Sequence, residues 1–420
     1  MEYKMIDCNS YKIHTIKTDK FKNCSIEIIY KNKLVKEEIT ANNMVVDMLM
    51  HTSKKYPTRR EVAIALENLY SASLRGVSTK LGNSFFVSFV MDFLNPKYCE
   101  KGYLEDIIEF QFDMIQNPNI TNGKFDSRSF NIIKNRLKAD IESVTENSTR
   151  YALRTSLRHM DSKSPSSYSM LGTIEELDGI TTTNLIDTYH NIINNYDCDI
   201  YVIGNLDMDY VVKLIKDNFN NRTIKNNDVN LYVDNKVKRK ITDITENANY
   251  EQDTFVMIHN AKDFTKRERD YVIHLFNIIF GSGGLTSKLY QYVREENSLC
   301  YSINTVYQKY DQLLMIYSGL DGKNKELCMK LVDKALNEMI NGDFSDEEID
   351  NAKKTIISSI RMSEDTLGGI VNNYFFNNID QVDLYDERVK QFNTVTREEI
   401  MDVAKKIKLN TVYLITREEK

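Results

Sequence analysis

The stretch FGSGGLTSKLYQYVREENSLCYSI, residues 280–303, holds three of the chain's 15 glycines, Gly281, Gly283 and Gly284. They follow an apolar run that reads as a helix, and a helix C-cap needs only one residue in the left-handed conformation. Because glycine has no Cβ, the extra two could let the backbone swing or approach a ligand closely. The competing interpretation is a tight helix-to-helix turn, with Leu285 starting the next element.

Other residue types that often carry chemistry do not form recognised patterns. The six cysteines are widely spaced and include no Cys-x-x-Cys pair, so we expect buried free thiols and not a zinc or redox site: Cys8, Cys24, Cys99, Cys198, Cys300 and Cys328. The chain also has no phosphate-binding Gly-lysine loop and no Gly-x-Ser-x-Gly elbow. Nucleotide hydrolysis and serine hydrolase chemistry are therefore disfavoured.

Composition and charge describe an ordinary globular protein. Hydrophobic residues make up 41% and charged residues 28% of the chain, and the formal net charge is −6. The 55 basic residues are scattered among 61 acidic ones, so no basic stripe suited to a phosphate backbone stands out, and we expect no nucleic-acid ligand. The N-terminus has no apolar signal region and no stretch approaches the roughly 20 apolar residues of a membrane span. We therefore expect a cytoplasmic protein without a membrane partner.

The elements that must position these residues are visible as alternating strand and helix patterns. CSIEIIY, SFFVSFVMDFL, CDIYVIGNL and NTVYLIT read as strands. Capping boxes, in which a Ser or Thr and a Glu three residues later satisfy each other's backbone donors, predict four helix starts: Thr58/Glu61, Thr265/Glu268, Ser345/Glu348 and Thr396/Glu399. Two long helices are predicted over Tyr103–Gln116 and Ser127–Ser143.

A chain of 420 residues is long for one core, and its middle predicts where it divides. An Asn- and Lys-rich stretch with little periodicity predicts a linker at 221–249, between domains at 1–220 and 250–420. The halves resemble each other weakly: PTRREVAIALENLYSASLRGVSTKLGNSFFVSFVM can be laid against LTSKLYQYVREENSLCYSINTVYQKYDQLLMIYSG. Each half also ends with a helix followed by a strand. This pattern predicts a duplicated α+β domain.

The Gly-rich turn followed by L-x-x-x-x-R-E-x-x-x-L-x-Y-S, in a duplicated α+β chain, resembles the insulinase/pitrilysin metallopeptidase family, which includes the mitochondrial processing peptidase. The first-half segment HTSKKYPTRREVAIALENLYSASL is similar to the helix and turn that follow the family's zinc helix. The resemblance implies two homologous α/β sandwich domains, each an antiparallel-rich sheet covered by helices, arranged as one half of a clamshell. Two such halves usually enclose a peptide. It also implies a substrate-handling role for Gly281, Gly283 and Gly284.

The family's zinc motif, His-x-x-Glu-His, does not occur in this chain. The resemblance places the two histidine ligands at Asn43 and Asp47, the general base at Val46 and a more distant glutamate ligand near Asn135. Val cannot take a proton from water and Asn is a poor zinc ligand, so we expect no metal in this chain and no hydrolysis by it alone. Asp47 and His51 share a helix face at i, i+4, but two ligands without a third favour an exposed helical pair.

Arg294 and Tyr301, seven residues apart, match the Arg and Tyr that family members bring to the scissile peptide. A phenol can donate to the carbonyl oxygen as negative charge grows there, and an Arg fork can hold backbone carbonyls of an extended substrate. The alternative is a surface helix charge beside a core or interface aromatic, since tyrosine is common here, at 25 residues.

The sequence therefore favours a non-zinc subunit of a heterodimeric bacterial zinc endopeptidase that cleaves peptides or unfolded segments and is inactive alone. Its partner would be a paralogous subunit bearing His-x-x-Glu-His and the zinc. A second hypothesis is a non-catalytic scaffold or peptide-binding subunit with no role in hydrolysis. A third, an autonomous enzyme with an unrecognised metal site, predicts near-stoichiometric zinc in the chain alone.

Overall fold

A computed structural model describes residues 1–219 and 230–417 as strands and helices in alternation. The strands are β1 Glu2–Asp7, β2 Lys12–Lys17, β3 Asn23–Lys33, β4 Ser73–Leu81, β5 Ser84–Leu94, β6 Ile120–Thr121, β7 Lys124–Phe125, β8 Asp197–Gly204, β9 Thr242–Ala248, β10 Thr254–Ala261, β11 Cys300–Gln308, β12 Leu313–Leu320 and β13 Ile407–Arg417.

The helices are α1 Ile39–His51, α2 Arg59–Asn68, α3 Tyr103–Gln116, α4 Ser127–Ser143, α5 Ser148–Met160, α6 Ile174–Gly179, α7 Leu185–Asn195, α8 Met208–Asn218, α9 Ile273–Asn277, α10 Lys325–Asn341, α11 Asp346–Ser363, α12 Leu367–Asp380, α13 Tyr385–Asn393 and α14 Arg397–Lys406. π-Helical windings flank α9 at Glu268–Val272 and Ile278–Ser282, so that 268–282 is one helical segment, and a further π-helical turn spans Tyr290–Glu295.

The four predicted capping boxes are all formed. Thr58, Ser345 and Thr396 each exchange hydrogen bonds with the glutamate three residues on. Thr265 and Glu268 do the same, the Thr265 backbone N–H donating to Glu268 at 2.7 Å and the Glu268 N–H donating to Thr265 Oγ1 at 3.2 Å. Local side-chain chemistry therefore fixes these helix starts. The two long helices also begin and end at the predicted residues, as α3 and α4.

The chain divides into two compact units, one formed by 1–142 and 169–230 and the other by 143–168 and 231–420. The sequence predicts domains at 1–220 and 250–420 with a linker at 221–249. Residues 221–229 of that linker lie outside the described part of the chain. In the described part of the predicted linker, strand β9 pairs in parallel with β13 and forms one edge of the second unit's sheet.

The two units repeat one sheet topology. The first sheet runs β1-β2-β8-β3-β5-β4 and the second, read from its far edge, runs β9-β13-β10-β12-β11. In each sheet the last strand along the chain, β8 or β13, pairs in parallel with one neighbour and antiparallel with the other. The next three strands across each sheet are antiparallel to their neighbours. The first unit differs by the extra edge strand β1. An α+β fold in two similar units, as the weak internal repeat predicted, is confirmed.

The helix α5 belongs to the second unit although it precedes α6, α7 and α8 of the first. Its buried residues Ala152 and Met160 pack in one core cluster with Val256 and Ile258 of β10 and Tyr413 of β13. The apolar face of this helix therefore covers the second sheet, and the sequence-based boundary at 220 left it in the first domain.

Candidate functional site

Arg294 lies at the end of the π-helical turn Tyr290–Glu295, where the chain reverses into β11. Ser298 takes a left-handed conformation with φ of 52°. The Ser298 N–H donates to the Arg294 carbonyl at 2.8 Å and the Leu299 N–H donates to the Val293 carbonyl at 3.0 Å. These two bonds tie the end of the helical turn to the start of the strand. Single π-helical turns of this kind are frequent at functional sites.

Tyr301 is turned outward by an irregularity at the start of β11. Cys300 pairs with Leu320, but the next paired residue, Ile303, lies opposite Ser318. The Ser318 hydroxyl donates to the Ser302 carbonyl at 2.8 Å and holds the displaced backbone. Bulges of this type re-aim side chains and occur beside active sites. As a result Tyr301 is 80% exposed, the highest fraction among the large apolar and aromatic side chains of the described residues.

The two predicted residues are in contact. The Arg294 guanidinium lies 4.9 Å from the centre of the Tyr301 ring and 4.6 Å from that of Tyr290, four residues earlier in the same helical turn. Its Nε is 3.7 Å from the Glu295 carboxylate. An exposed cation–π contact is worth about 0.5–1 kcal/mol, which suffices to bias the Arg294 side chain toward the phenol. Sequence reasoning missed Tyr290, although its i, i+4 spacing from Arg294 was available as a signal.

The donors of this pair are available for a ligand. The Tyr301 hydroxyl makes no hydrogen bond with any residue that the structure describes. Strand β11 forms one edge of its sheet, so the backbone groups on its outer side can pair with an added strand. A phenol O–H and a guanidinium beside an open strand edge form a surface that can bind the carbonyl oxygens of an extended peptide.

Each of the three glycines has a local structural reason. A Cβ on Gly281 would lie 2.3 Å from Thr305 Cγ2, and one on Gly283 would lie 2.5 Å from the Ile278 carbonyl oxygen. Gly284 has φ of +65° with open space around it, a conformation that glycine adopts without strain. A tight turn between helical segments thus accounts for all three, and their role in substrate binding stays a prediction.

The residues at the expected metal positions are engaged elsewhere. Asn43 Nδ2 donates to the Met170 carbonyl. Val46 is 3% exposed and packs where strand β4 passes close to α1 at Gly76. Asp47 forms an ion pair with Arg136 of α4 at 2.6 Å. Arg136 adjoins Asn135, the expected position of the distant ligand, so a guanidinium charge meets Asp47 between the two helices that would hold the metal.

These residues do not fit a zinc ion. Asn43 donates to a carbonyl oxygen, Val46 has no proton acceptor, and Asp47 is paired with Arg136. The His51 Nδ1 atom is buried without a hydrogen-bond partner, and its pKa is lowered, first by burial and then by Arg59 and Arg136. Within 1–219 and 230–417 no cluster of three or more His, Cys, Asp or Glu side chains is placed to hold a metal. The third ligand that an Asp47 and His51 site would need is therefore missing from the described chain.

Comparison with known proteins agrees with this geometry. Residues 179–356 match the family model described as Peptidase M16 inactive domain. The chain is 28% identical over 411 residues to Probable inactive metalloprotease YmfF of Bacillus subtilis, covering 96% of this chain and 95% of that protein. It is 23% identical over 144 residues, 33% of this chain and 35% of the other, to Uncharacterized zinc protease YmxG of the same bacterium.

Among solved structures, a conserved protein from Enterococcus faecalis V583 superposes with a TM-score of 0.94 at 24% identity, over 100% of this chain and 99% of that one. The fold and the substituted metal positions together define a duplicated, peptidase-like α+β protein in which the described residues offer no cluster suited to a metal. The match to an M16 inactive-domain model and the similarity to a protein described as an inactive metalloprotease confirm the predicted resemblance to the insulinase/pitrilysin-type peptidases and to their non-zinc branch.

Proposed function

We propose that this chain is the non-zinc subunit of a heterodimeric endopeptidase and supplies Arg294 and Tyr301 to a peptide held against a zinc-bearing partner. The observation that carries the proposal is the 80% exposed Tyr301 phenol, aimed outward by a strand bulge and contacted by Arg294 at 4.9 Å. A tyrosine that only packs in the core of its own unit would be buried. The inactive metal positions explain why hydrolysis needs a second chain.

The partner's zinc would supply the activated water. In this chain, the Tyr301 O–H donates to the carbonyl oxygen of the scissile peptide, where negative charge develops, and this donor acts more strongly on the developing oxyanion than on the neutral carbonyl. Arg294, which never deprotonates, offers several N–H donors to neighbouring carbonyls of the substrate backbone. The outer edge of β11 pairs with the extended peptide and sets its register.

The partner is expected to be a paralogous subunit bearing His-x-x-Glu-His. In Bacillus subtilis, one relative of this chain is described as an inactive metalloprotease and another as a zinc protease, which supports a division of labour between two related chains.

No helix of the described residues has the length and apolar character needed to cross a bilayer. We further propose that the complex is cytoplasmic and acts on peptides or unfolded segments.

The test is affinity purification of the tagged chain from its native cells, followed by mass spectrometry, zinc analysis and a peptidase assay. The proposal predicts a near-equimolar partner with His-x-x-Glu-His, zinc in proportion to that partner, and peptide cleavage by the complex but not by this chain alone. Recovery of the chain without such a partner would support a scaffold or binding role instead. Near-stoichiometric zinc in the isolated chain would contradict both.

A further inference from the structure

The second unit contains a cavity that is separate from the Arg294 and Tyr301 surface. Its volume is about 380 Å³, and its walls come from the helical segment 268–282, the β11–β12 connection, α11, α12 and the start of α13. Apolar side chains line one part of it, among them Ile356, Ile360 and Phe376. A cavity of this size, lined by both apolar and polar side chains, lies within the range of small-ligand sites.

One cation in the cavity wall is unpaired. Lys309 is paired, since its Nζ lies 2.7 Å from Asp270 and 2.6 Å from Asp380. The Arg388 guanidinium makes no hydrogen bond and no ion pair with any residue in the described ranges. Burial is the main influence on its pKa and lowers it, while the nearby Tyr271, Tyr385, Asp270 and Asp383 act in the opposite direction without forming an ion pair. Removing an unpaired charge from water is costly, and the cost falls when an anion binds beside it.

One acceptor in the same wall is also unsatisfied. Asn373 is 5% exposed and lines the cavity, and its Oδ1 atom is buried without a hydrogen-bond partner among the described residues. Buried amide oxygens are nearly always paired. The cavity therefore lacks two complementary groups, an anion for Arg388 and an N–H or O–H donor for Asn373.

We propose that this cavity binds the C-terminal end of a peptide. The terminal carboxylate meets the planar fork of Arg388, which suits a carboxylate in a bidentate arrangement. The amide N–H of the last residue donates to Asn373 Oδ1, and its side chain packs on Ile356, Ile360 and Phe376. A peptide end carries all three features within one residue.

A doubly charged phosphate suits this cavity less well. Arg388 is the one lining cation that forms no ion pair with a described residue, while Asp270 and Asn373 also line the space. Burial lowers the pKa of His274 to about 4, so this neighbouring side chain is neutral at pH 7. A single negative charge adjoining an N–H donor therefore matches the wall better than two charges do.

This inference does not rest on the proposed function, because it needs only the isolated chain. Isothermal titration of the full chain would use N-acetyl-Ala-Leu and N-acetyl-Ala-Phe as free acids, each with its C-terminal amide as the matched probe. We expect saturable binding of at least one free acid and binding at least about tenfold weaker for its amide, since the amide removes the charge that Arg388 pairs with.

Variants locate the binding. Arg388→Gln is expected to lower the affinity for the free-acid peptide by at least about tenfold. Arg388→Lys keeps the charge but loses the planar fork, so it should lower that affinity by less. Lys354→Gln, an equal charge change at an exposed position of α11, is the control and should leave affinity unchanged. If Arg388→Gln does not fold, the acid and amide comparison on the unmodified chain still decides.

Three results would overturn the assignment. They are equal affinity for acid and amide, no saturable binding of either peptide up to about 10 mM, and equal competition by free leucine or inorganic phosphate. Equal competition would show that the cavity binds a free amino acid or a simple anion and not the end of a peptide.

Discussion

Replacing Gly281 with Ala tests whether the glycine cluster is packing or substrate machinery. The added Cβ would lie 2.3 Å from Thr305 Cγ2, 2.9 Å from Thr305 Oγ1 and 3.0 Å from Leu289 Cδ1. Thr305 is 6% exposed, its χ1 is stiff because the side chain is β-branched, and its hydroxyl donates to Asn277 Oδ1 at 2.7 Å. The threonine cannot rotate away without losing that bond.

The magnitude follows from three contributions. Overpacking costs about 1–3 kcal/mol and a weakened Thr305 hydrogen bond about 1 kcal/mol, while Ala in place of a helical Gly returns about 0.5–1 kcal/mol. The free energy of unfolding should therefore fall by about 1–3 kcal/mol for Gly281→Ala. Urea unfolding followed by circular dichroism measures it. Gly368→Ala, where a Cβ meets nothing within 4 Å, is the matched control and should be neutral or slightly stabilising.

A second substitution identifies the contact. Thr305→Ser removes the methyl group that clashes and keeps the hydroxyl, so Gly281→Ala combined with Thr305→Ser should recover about 1 kcal/mol relative to additivity. If Gly281→Ala left stability unchanged while peptide cleavage by the assembled complex fell, the packing explanation would be refuted and Gly281 would belong to substrate handling.

Two further predictions concern pH and the metal site. His259 is buried with both ring nitrogens unpartnered, and burial lowers its pKa from 6.5 to about 4. Between pH 6.5 and 4 the unfolded state therefore binds more protons than the folded state. The free energy of unfolding should fall by up to about 3 kcal/mol as the pH drops through that window. His259→Leu should remove its share of this dependence in pH-resolved urea unfolding and leave the share of His274, and an unchanged slope would assign the whole dependence to other groups. Restoring the motif by Asn43→His, Val46→Glu and Asp47→His should give zinc binding well below one equivalent unless Asn135→Glu adds a third ligand. Mass spectrometry of dialysed protein measures the zinc, and full occupancy in the triple variant would show that the three ligands are not required.

Helix starts and lengths were predictable because their causes are local. A capping box needs four consecutive residues, and α3 and α4 each display an apolar face within their own sequence. Strand β9 was not predictable in the same way. Its residues, Thr242–Ala248, alternate between intermediate and exposed without a buried position, so a polar edge strand looked like part of a linker. The strand exists because β13 offers it a partner.

The candidate site, like the fold, is predictable from the sequence only in part. The resemblance singled out Arg294 and Tyr301, and the structure places them in contact. The bulge that exposes Tyr301 depends on the β11–β12 register, which the sequence does not show. The ion pair between Asp47 and Arg136 joins two helices 89 residues apart in the chain. It arises from tertiary packing, so an exposed helical pair of Asp47 and His51 was the simpler expectation from sequence.

The central claim is that Tyr301 donates to the peptide carbonyl in a complex with a zinc-bearing partner. Tyr301→Phe removes only the hydroxyl of an exposed side chain, so assembly and zinc content should not change. The turnover rate of the purified complex on a saturating peptide should fall by about 10²–10³, the typical effect of losing one oxyanion donor. Tyr98→Phe, at another exposed tyrosine, should cleave at the unmodified rate. A Tyr301→Phe complex that forms normally and cleaves as fast as the control would contradict the claim and leave this chain a scaffold.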